Sequence, residues 1–450
     1  MIPPILQLLE IVLLAGCVLL VCFQLFRRGI SSGTKELFQR KYVVLFAVVS
    51  CIYPVTAIIG WVRKPAVLRQ NLHDSLVIAT EQSANRKYTD SIQSYTTSLQ
   101  IAQSLKDQDS TLQALIGIGN AYLESGFVDK AEDSFRQAES IAEERKNESA
   151  MIDSLMGLGK ADAILYKLKE ASDEYERALN LARKRGMVSE QVTALIGLAE
   201  VREYDFQFDE SLAALSQALA LSVQSSNKSQ EAEVRLHLAS VQSQAGKLAA
   251  GFSTYTRAYE LATAIKDADK IERALLGLGM VETERHNNDE AAKWFQLAIE
   301  AAESTKNEFY KVQALYNLGN ALEQLGKYDL ALIQYNNALS TAHEIGDSSY
   351  IPAIGSSIGK ILYDKNELEL AEQTLRRALA ESEARHDEEM SAEILSNLSL
   401  VYEKEGRRAE AIEALRRAIS LNRTSNSRDA QVANEKRLQK LQGRIQTGQS

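Results

Sequence analysis

Histidine and cysteine are the side chains best suited to metal binding and nucleophilic chemistry, and in this 450-residue chain their spacing supports neither. His73, His237, His286, His343 and His386 are isolated, and no second histidine lies four residues away to complete a helical metal pair. Cys17, Cys22 and Cys51 all fall in apolar stretches of the first 64 residues, so the rest of the chain has no disulfide framework and no thiolate metal site. There is no glycine-rich phosphate loop and no nucleophile elbow. Acidic runs such as Asp387, Glu388 and Glu389 lie between apolar-periodic segments and read as solvated turns. The expectation is a chain with no catalytic residues, no metal and no cofactor.

A 40-residue rhythm organises what remains. Ile78, Ile118, Leu158, Leu198, Leu238, Leu278, Leu318, Ile358 and Leu398 form an aliphatic column. Ser91, Ala131, Ala171, Ser211, Gly251, Ala291, Ala331, Ala371 and Ala411 form a column of small residues. Ser98 and the alanines 138, 178, 218, 258, 298, 338, 378 and 418 form a third. Tyr95, Phe135, Tyr175, Leu215, Tyr255, Phe295, Tyr335, Leu375 and Leu415 form a large apolar column. Self-similarity at a fixed period of this size is the signature of a solenoid.

One period is a helical hairpin. Ala114, Leu115, Ile118, Ala121 and Tyr122 recur at three- and four-residue spacing, as one helix face does. Ser125 and Gly126 punctuate, and glycine can take the left-handed conformation that ends a helix. Ala131, Phe135, Ala138 and Ile141 then give a second amphipathic stripe. A lone hairpin cannot bury such stripes, so neighbours must stack. The predicted fold is all-α: a right-handed α-solenoid of about nine hairpins over residues 71–425. Its first repeat is degenerate, with Ser75 where Leu115 later stands. Val432, Leu438, Leu441 and Ile445 predict a capping helix within 426–450.

The run Leu318, Gly319, Asn320, Ala321, followed by Gly326, Tyr328, Ala331, Tyr335 and Ala338, resembles the tetratricopeptide repeat. So does the run Gly119, Asn120, Ala121, Tyr122, Gly126, Ala131, Phe135 and Ala138. The period of 40 rather than 34 departs from the family, and the extra residues are expected in the second helix and its following turn. The family's proline after the second helix is also missing. The resemblance implies that the first helix of each repeat lines a concave groove that binds protein segments. The matching positions are Ile116, Met156, Ile196, Leu236, Leu276 and Tyr316 in one row. Asn120, Lys160, Glu200, Ser240, Met280, Asn320 and Lys360 form a second, and Gln113, Asp153, Thr193, Glu233, Arg273 and Gln313 a third. An apolar strip flanked by amides suits an extended or helical peptide. The family's carboxylate clamp needs basic residues on the first row, and that row lacks them.

Residues 1–64 are a different material. Residues 5–26 carry one charge, Glu10, and residues 42–62 carry none. Each is long enough to cross about 30 Å of hydrocarbon as a helix. Pro54 sits within the second span, and a basic loop, 27–41, begins with Arg27 and Arg28. Residues 65–70 are expected to be a linker between this membrane hairpin and the solenoid. An acid inside a membrane span is a candidate functional group, although Glu10 lies near enough to the chain start to snorkel. Five basic residues in the loop against three after the second span lean the loop towards the cytoplasm and the solenoid away from it. Both topologies stay open. The sequence style suggests a bacterial cytoplasmic membrane or a related internal one.

The net charge of −9 is unevenly spread: residues 1–64 carry +5, residues 407–450 carry +6, and the stretch between them −20. An acidic solenoid disfavours nucleic acid, whose phosphates bind basic surfaces. The sequence therefore points to a membrane-anchored scaffold that holds protein partners through the groove and touches lipid through residues 5–62. A sensory component that binds a peptide or small effector is the alternative, and homo-oligomerisation stays open.

Overall fold

The computed structural model describes residues 65–425 and 427–446, which form nineteen helices and no strand. They belong to two compact units that divide after Arg185. The first unit holds α1 (65–84), α2 (Tyr88–Leu105), α3 (Gln108–Glu124), α4 (Val128–Arg145), α5 (Glu148–Ile164) and α6 (Leu168–Arg185). The second begins with α7 (Val188–Tyr204), α8 (Phe208–Gln224), α9 (Lys228–Gln244), α10 (Leu248–Ile265), α11 (Ala268–Glu284) and α12 (Asn288–Thr305). It continues with α13 (Glu308–Gln324), α14 (Tyr328–Ile345), α15 (Ile351–Asp364), α16 (Leu368–Ala384), α17 (Glu388–Lys404), α18 (Arg408–Thr424) and α19 (Arg428–Gln446). Short connections keep consecutive helices antiparallel. Within each unit, neighbouring odd-numbered helices also touch, as α3 touches α5 and α9 touches α11. Each unit is thus a stack of hairpins in which a repeat meets only its neighbours.

The turns keep strict time. Every described residue with positive φ falls on a twenty-residue step running from Arg86 through Lys106, Gly126 and Lys146 to Gly406. At Lys106 the left-handed residue completes a Schellman-type ending: its N–H donates to the Gln103 carbonyl, and the Asp107 N–H donates to that of Ala102 at 2.9 Å. Asp107, Asn147, Asn227, Asp267 and Asp387 then cap the next helix, each accepting from the backbone N–H three residues on. The two helices of a hairpin differ by at most one residue in most repeats, as in the 17 residues of α3 and 18 of α4. The length beyond the family's usual period is therefore shared between both helices, not confined to the second. Pro352 stands in the first turn of α15, where its missing N–H has no partner to lose.

The columns meet in the core. Phe135 of α4 is fully buried between Gly119 of α3 and Gly157 of α5. A Cβ at Gly119 would come within 2.7 Å of that ring, and one at Gly157 within 2.5 Å of its Cζ. In the second unit Tyr335 lies as close to Gly319, and Tyr255 crowds Gly277. Every ring of the large column has glycine on at least one side, whereas Leu215 has Ala199 and His237 and Leu415 has Ser399 and Arg437.

Two boundaries differ from expectation. Residues 65–70, expected as a linker, are already helical and start α1. The terminal helix α19 keeps the 40-residue step one turn longer than the sequence reading recognised, for Leu438 follows Leu398. Leu441 is buried and Leu438 packs against the same cluster. Val432, expected on the apolar face, is 40% exposed, although Leu112, Ile152 and Ala392 on the same step are buried. Polar Glu435 and Gln439 replace the leucine and glycine usual on that face, so this helix buries less apolar surface than its counterparts. Among the described residues no helix is long and apolar enough to cross a membrane. The expected spans 5–26 and 42–62, with Glu10, Arg27, Arg28 and Pro54, lie outside the described residues.

Candidate partner-binding face

The odd-numbered helices present the expected rows, and side-chain length decides which residues stay accessible. In the first unit Gln113 and Asn120 of α3 and Lys160 of α5 are exposed, and Ile116 and Met156 are half-buried. Ile116 packs against the clusters around Leu115 and Phe135, so only its edge faces outward. Lys160 Nζ bonds Glu124 at 2.8 Å, tying α5 to α3.

In the second unit Ile196 of α7 is half-buried, but Leu236 of α9 and Leu276 of α11 are each only 4% exposed. These two do not line an open groove. Leu236 packs on Ala258 and Ala274 beneath the rings of Tyr255 and Tyr259, and Leu276 belongs to the unit's main apolar cluster. Their row lies at the seam between adjacent odd helices, where a branched side chain is drawn inward. Met280, one turn further along α11, is the apolar residue that does reach solvent, at 51%.

Tyr316 and Asn320 of α13 are held rather than free. Tyr316 stacks at 6.0 Å from Tyr335 and 5.7 Å from Tyr350. The Tyr335 hydroxyl lies 2.6 Å from Asn320 Oδ1 and 2.9 Å from Glu323 Oε2, so it donates to one or the other. Burial pushes both phenols upward from their ordinary pKa. Glu323 in turn holds Lys360 of α15 at 2.7 Å.

A charged cluster joins α7, α9 and α11. Glu233 Oε1 lies 2.7 Å from Arg273 and 3.2 Å from His237, whose other ring nitrogen is 3.5 Å from Glu200. Burial alone would raise the Glu233 pKa, but the hydrogen bonds and charges of His237 and Arg273 outweigh it and hold the carboxyl at about 2. Such a group stays ionised at any ordinary pH and serves as a staple between repeats, not as a proton carrier.

Further along, residues about one repeat apart form a polar ladder. The Asn397 amide donates to Ser356 Oγ at 3.1 Å, and Ser356 to Glu393 at 2.9 Å. Arg437 of α19 donates to Ser396 Oγ at 3.0 Å and to Ser399 Oγ at 2.8 Å. The sequence reading passed over His237, Asn397 and Arg437 as members of a set. The signal was available: they occupy the step that holds glycine at 117, 157, 197 and 277.

On the even-helix side of the first unit a cavity of about 540 Å³ is floored by Ala142, Met151 and Leu181. Among the described residues no group of three or more His, Cys, Asp or Glu is placed to hold a metal ion.

With the hairpins and their columns described, comparison with known proteins becomes informative. The tetratricopeptide repeat model matches residues 78–144 and 270–344, and a second model of that repeat matches 392–425. These stretches are tetratricopeptide repeats. No curated protein matches its sequence. Among solved structures, the apo form of RapI is 15% identical, with a TM-score of 0.56 over 79% of this chain and 98% of its own. A Rap protein complexed with Competence and Sporulation Factor is 16% identical, with a TM-score of 0.51 over 85% of this chain and 99% of its own. The apo quorum sensor NprR from B. thuringiensis is 10% identical, with a TM-score of 0.52 over 80% and 99%. At these identities the likeness is one of fold. It places the chain among all-helical solenoids.

Proposed function

We propose that this protein is a membrane-anchored tetratricopeptide repeat scaffold. It holds segments of partner proteins on its odd-helix face, and residues 5–62 fix it to a lipid bilayer. The observation that carries the reading is the face itself: amides and hydroxyls of successive odd helices stand beside accessible apolar edges such as Met156 and Met280. Groups of that kind bond a peptide backbone and cover its side chains. The scaffold uses no catalysis and no cofactor, and the acidic charge of residues 65–406 favours protein over nucleic acid. The basic loop 27–41 lies in the cytoplasm in this reading.

A sensory reading draws on the neighbours, one complexed with Competence and Sporulation Factor and another titled a quorum sensor. It assigns a peptide effector to the same face. Photo-crosslinkers placed in the full membrane-bound chain at Asn120 and Met280, with Ile333 on an even helix as control, test the scaffold. It expects one discrete partner at the odd-helix positions. Equal capture at Ile333, or none at either odd position, refutes it. A conformational response to a soluble peptide, without a stable partner, favours the sensory reading.

A further inference from the structure

The α5–α6 hairpin of the first unit buries two acids against each other. Asp162 of α5 is fully buried and Glu174 of α6 nearly so, with their carboxyls within hydrogen-bonding range. Lys167 Nζ reaches Asp162 Oδ1 at 3.1 Å, but Asp162 Oδ2 and Glu174 Oε2 have no hydrogen-bond donor. Two other hairpins fill this place with a neutral, bonded pair. Eighty residues earlier the equivalent pair is Ser94 and Gln82, whose hydroxyl donates to the amide oxygen at 2.7 Å. Eighty residues later it is Thr254 and Gln242, bonded the same way at 2.8 Å. Those two hairpins set one donor against one acceptor here, and two carboxylates supply no donor.

We infer that Asp162 and Glu174 share one proton at neutral pH, and that this proton latches α5 to α6. The protonated Glu174 carboxyl donates to the Asp162 carboxylate. When the hairpin opens the proton passes to water and both acids ionise in solvent. The surrounding charge fits one proton. Glu132 and Arg136 of α4 and Lys167 in the turn complete the cluster, with Lys167 Nζ 3.1 Å from Asp162 and 2.9 Å from Glu132. Arg136 lies 2.8 Å from Glu132, 3.8 Å from Asp162 and 4.0 Å from Glu174. Three carboxyls and two cations are neutral only when one carboxyl keeps its proton. Glu139 of α4 adds a more distant negative charge that favours the same outcome. Burial first, and the charge of Asp162 second, push Glu174 up to about 8. Glu132 is held low by its bond from Lys167, and Arg136 and Lys167 are held high by their bonds to Glu132. The only histidine between residues 65 and 185 is His73, on α1.

The test is amide hydrogen exchange on the full chain in detergent, read as protection factors for α5 and α6 against α3 as internal reference. Because opening releases a proton below the closed-state value, protection should fall about tenfold per pH unit from 5.5 to 7.5 and level off above about 8. Glu174→Gln keeps a donor without a titratable proton, so its protection should be flat across that range. The double variant Asp162→Gln, Glu174→Thr rebuilds the neutral pair seen at Gln242 and Thr254, and decides the matter if the single variant does not fold. A flat wild-type profile overturns the latch, as does an unchanged slope in the folded variants.

Discussion

Replacing Gly157 with alanine adds one methyl group and should destabilise the first unit through a single ring. The new Cβ would lie 2.5 Å from Cζ of Phe135, roughly 1 Å inside the usual 3.5–4.0 Å carbon–carbon separation. Phe135 cannot retreat, because Gly119 meets its opposite side and the ring is fully buried. Overpacking of this kind costs about 1–3 kcal/mol, and alanine recovers about 0.8–1 kcal/mol of helix propensity, leaving a net loss of about 0–2 kcal/mol. A solenoid need not melt in one step, so the assay is local: protection of α4 and α5 amides, with the thermal midpoint beside it. The decisive variant is Phe135→Leu in the Gly157→Ala background. Leucine copies Leu215 and Leu415, the places where the chain itself pairs a smaller residue with a larger neighbour. The double variant should be at least about 1 kcal/mol more stable than the sum of the two single effects predicts. Strict additivity would refute the clamp.

Three further outcomes follow from named groups. Glu174 keeps its proton to about 8 when folded and releases it near 4.5 when unfolded, so the folded chain binds the extra proton between those values. Stability of the first unit should therefore fall as pH rises, by about 2 kcal/mol from pH 5.5 to 7, and Glu174→Gln should remove that slope in urea titrations at each pH. Phe206 is 81% exposed with φ at 57°, so Phe206→Gly should stabilise the second unit by about 0.5–1 kcal/mol in the same titrations. Arg273→Met strips Glu233 of its shortest ion pair and should cost about 1–3 kcal/mol at neutral pH, between the limits for exposed and buried pairs. That loss should shrink below pH 4.5, as the unfolded carboxyl protonates, and be read from thermal melts across pH.

The repeat was legible because its signal is arithmetic. Phe135, Ala131 and Ala138 recur in phase, and the structure puts each in the core. The binding rows were only partly legible. Spacing identified the helix face of Leu236 and Leu276, but their depth depends on Tyr255, Tyr259 and the neighbouring odd helix, which no single row contains. The Asp162–Glu174 pair was invisible for a related reason. Each acid alone looks like an ordinary surface residue, and only the Gln82–Ser94 and Gln242–Thr254 contacts reveal that the two positions face inward together. Leu438 shows the opposite case: its spacing from Leu441 marked a capping helix, while the 40-residue step from Leu398 that also reaches it was not used.

The even beat of left-handed turns makes length a separable, heritable property of this chain. Excising residues 127–166 would splice Gly126 onto Lys167, two points at matching places in the rhythm. It would also bring Tyr175 opposite Gly119, the same ring-on-glycine fit that Gly159 now provides. Unequal crossing-over between such points could add or subtract whole hairpins while keeping the ring-on-glycine packing in register. Evolution can then retune how many partner segments fit along the array in single clean events, without first repairing a broken core.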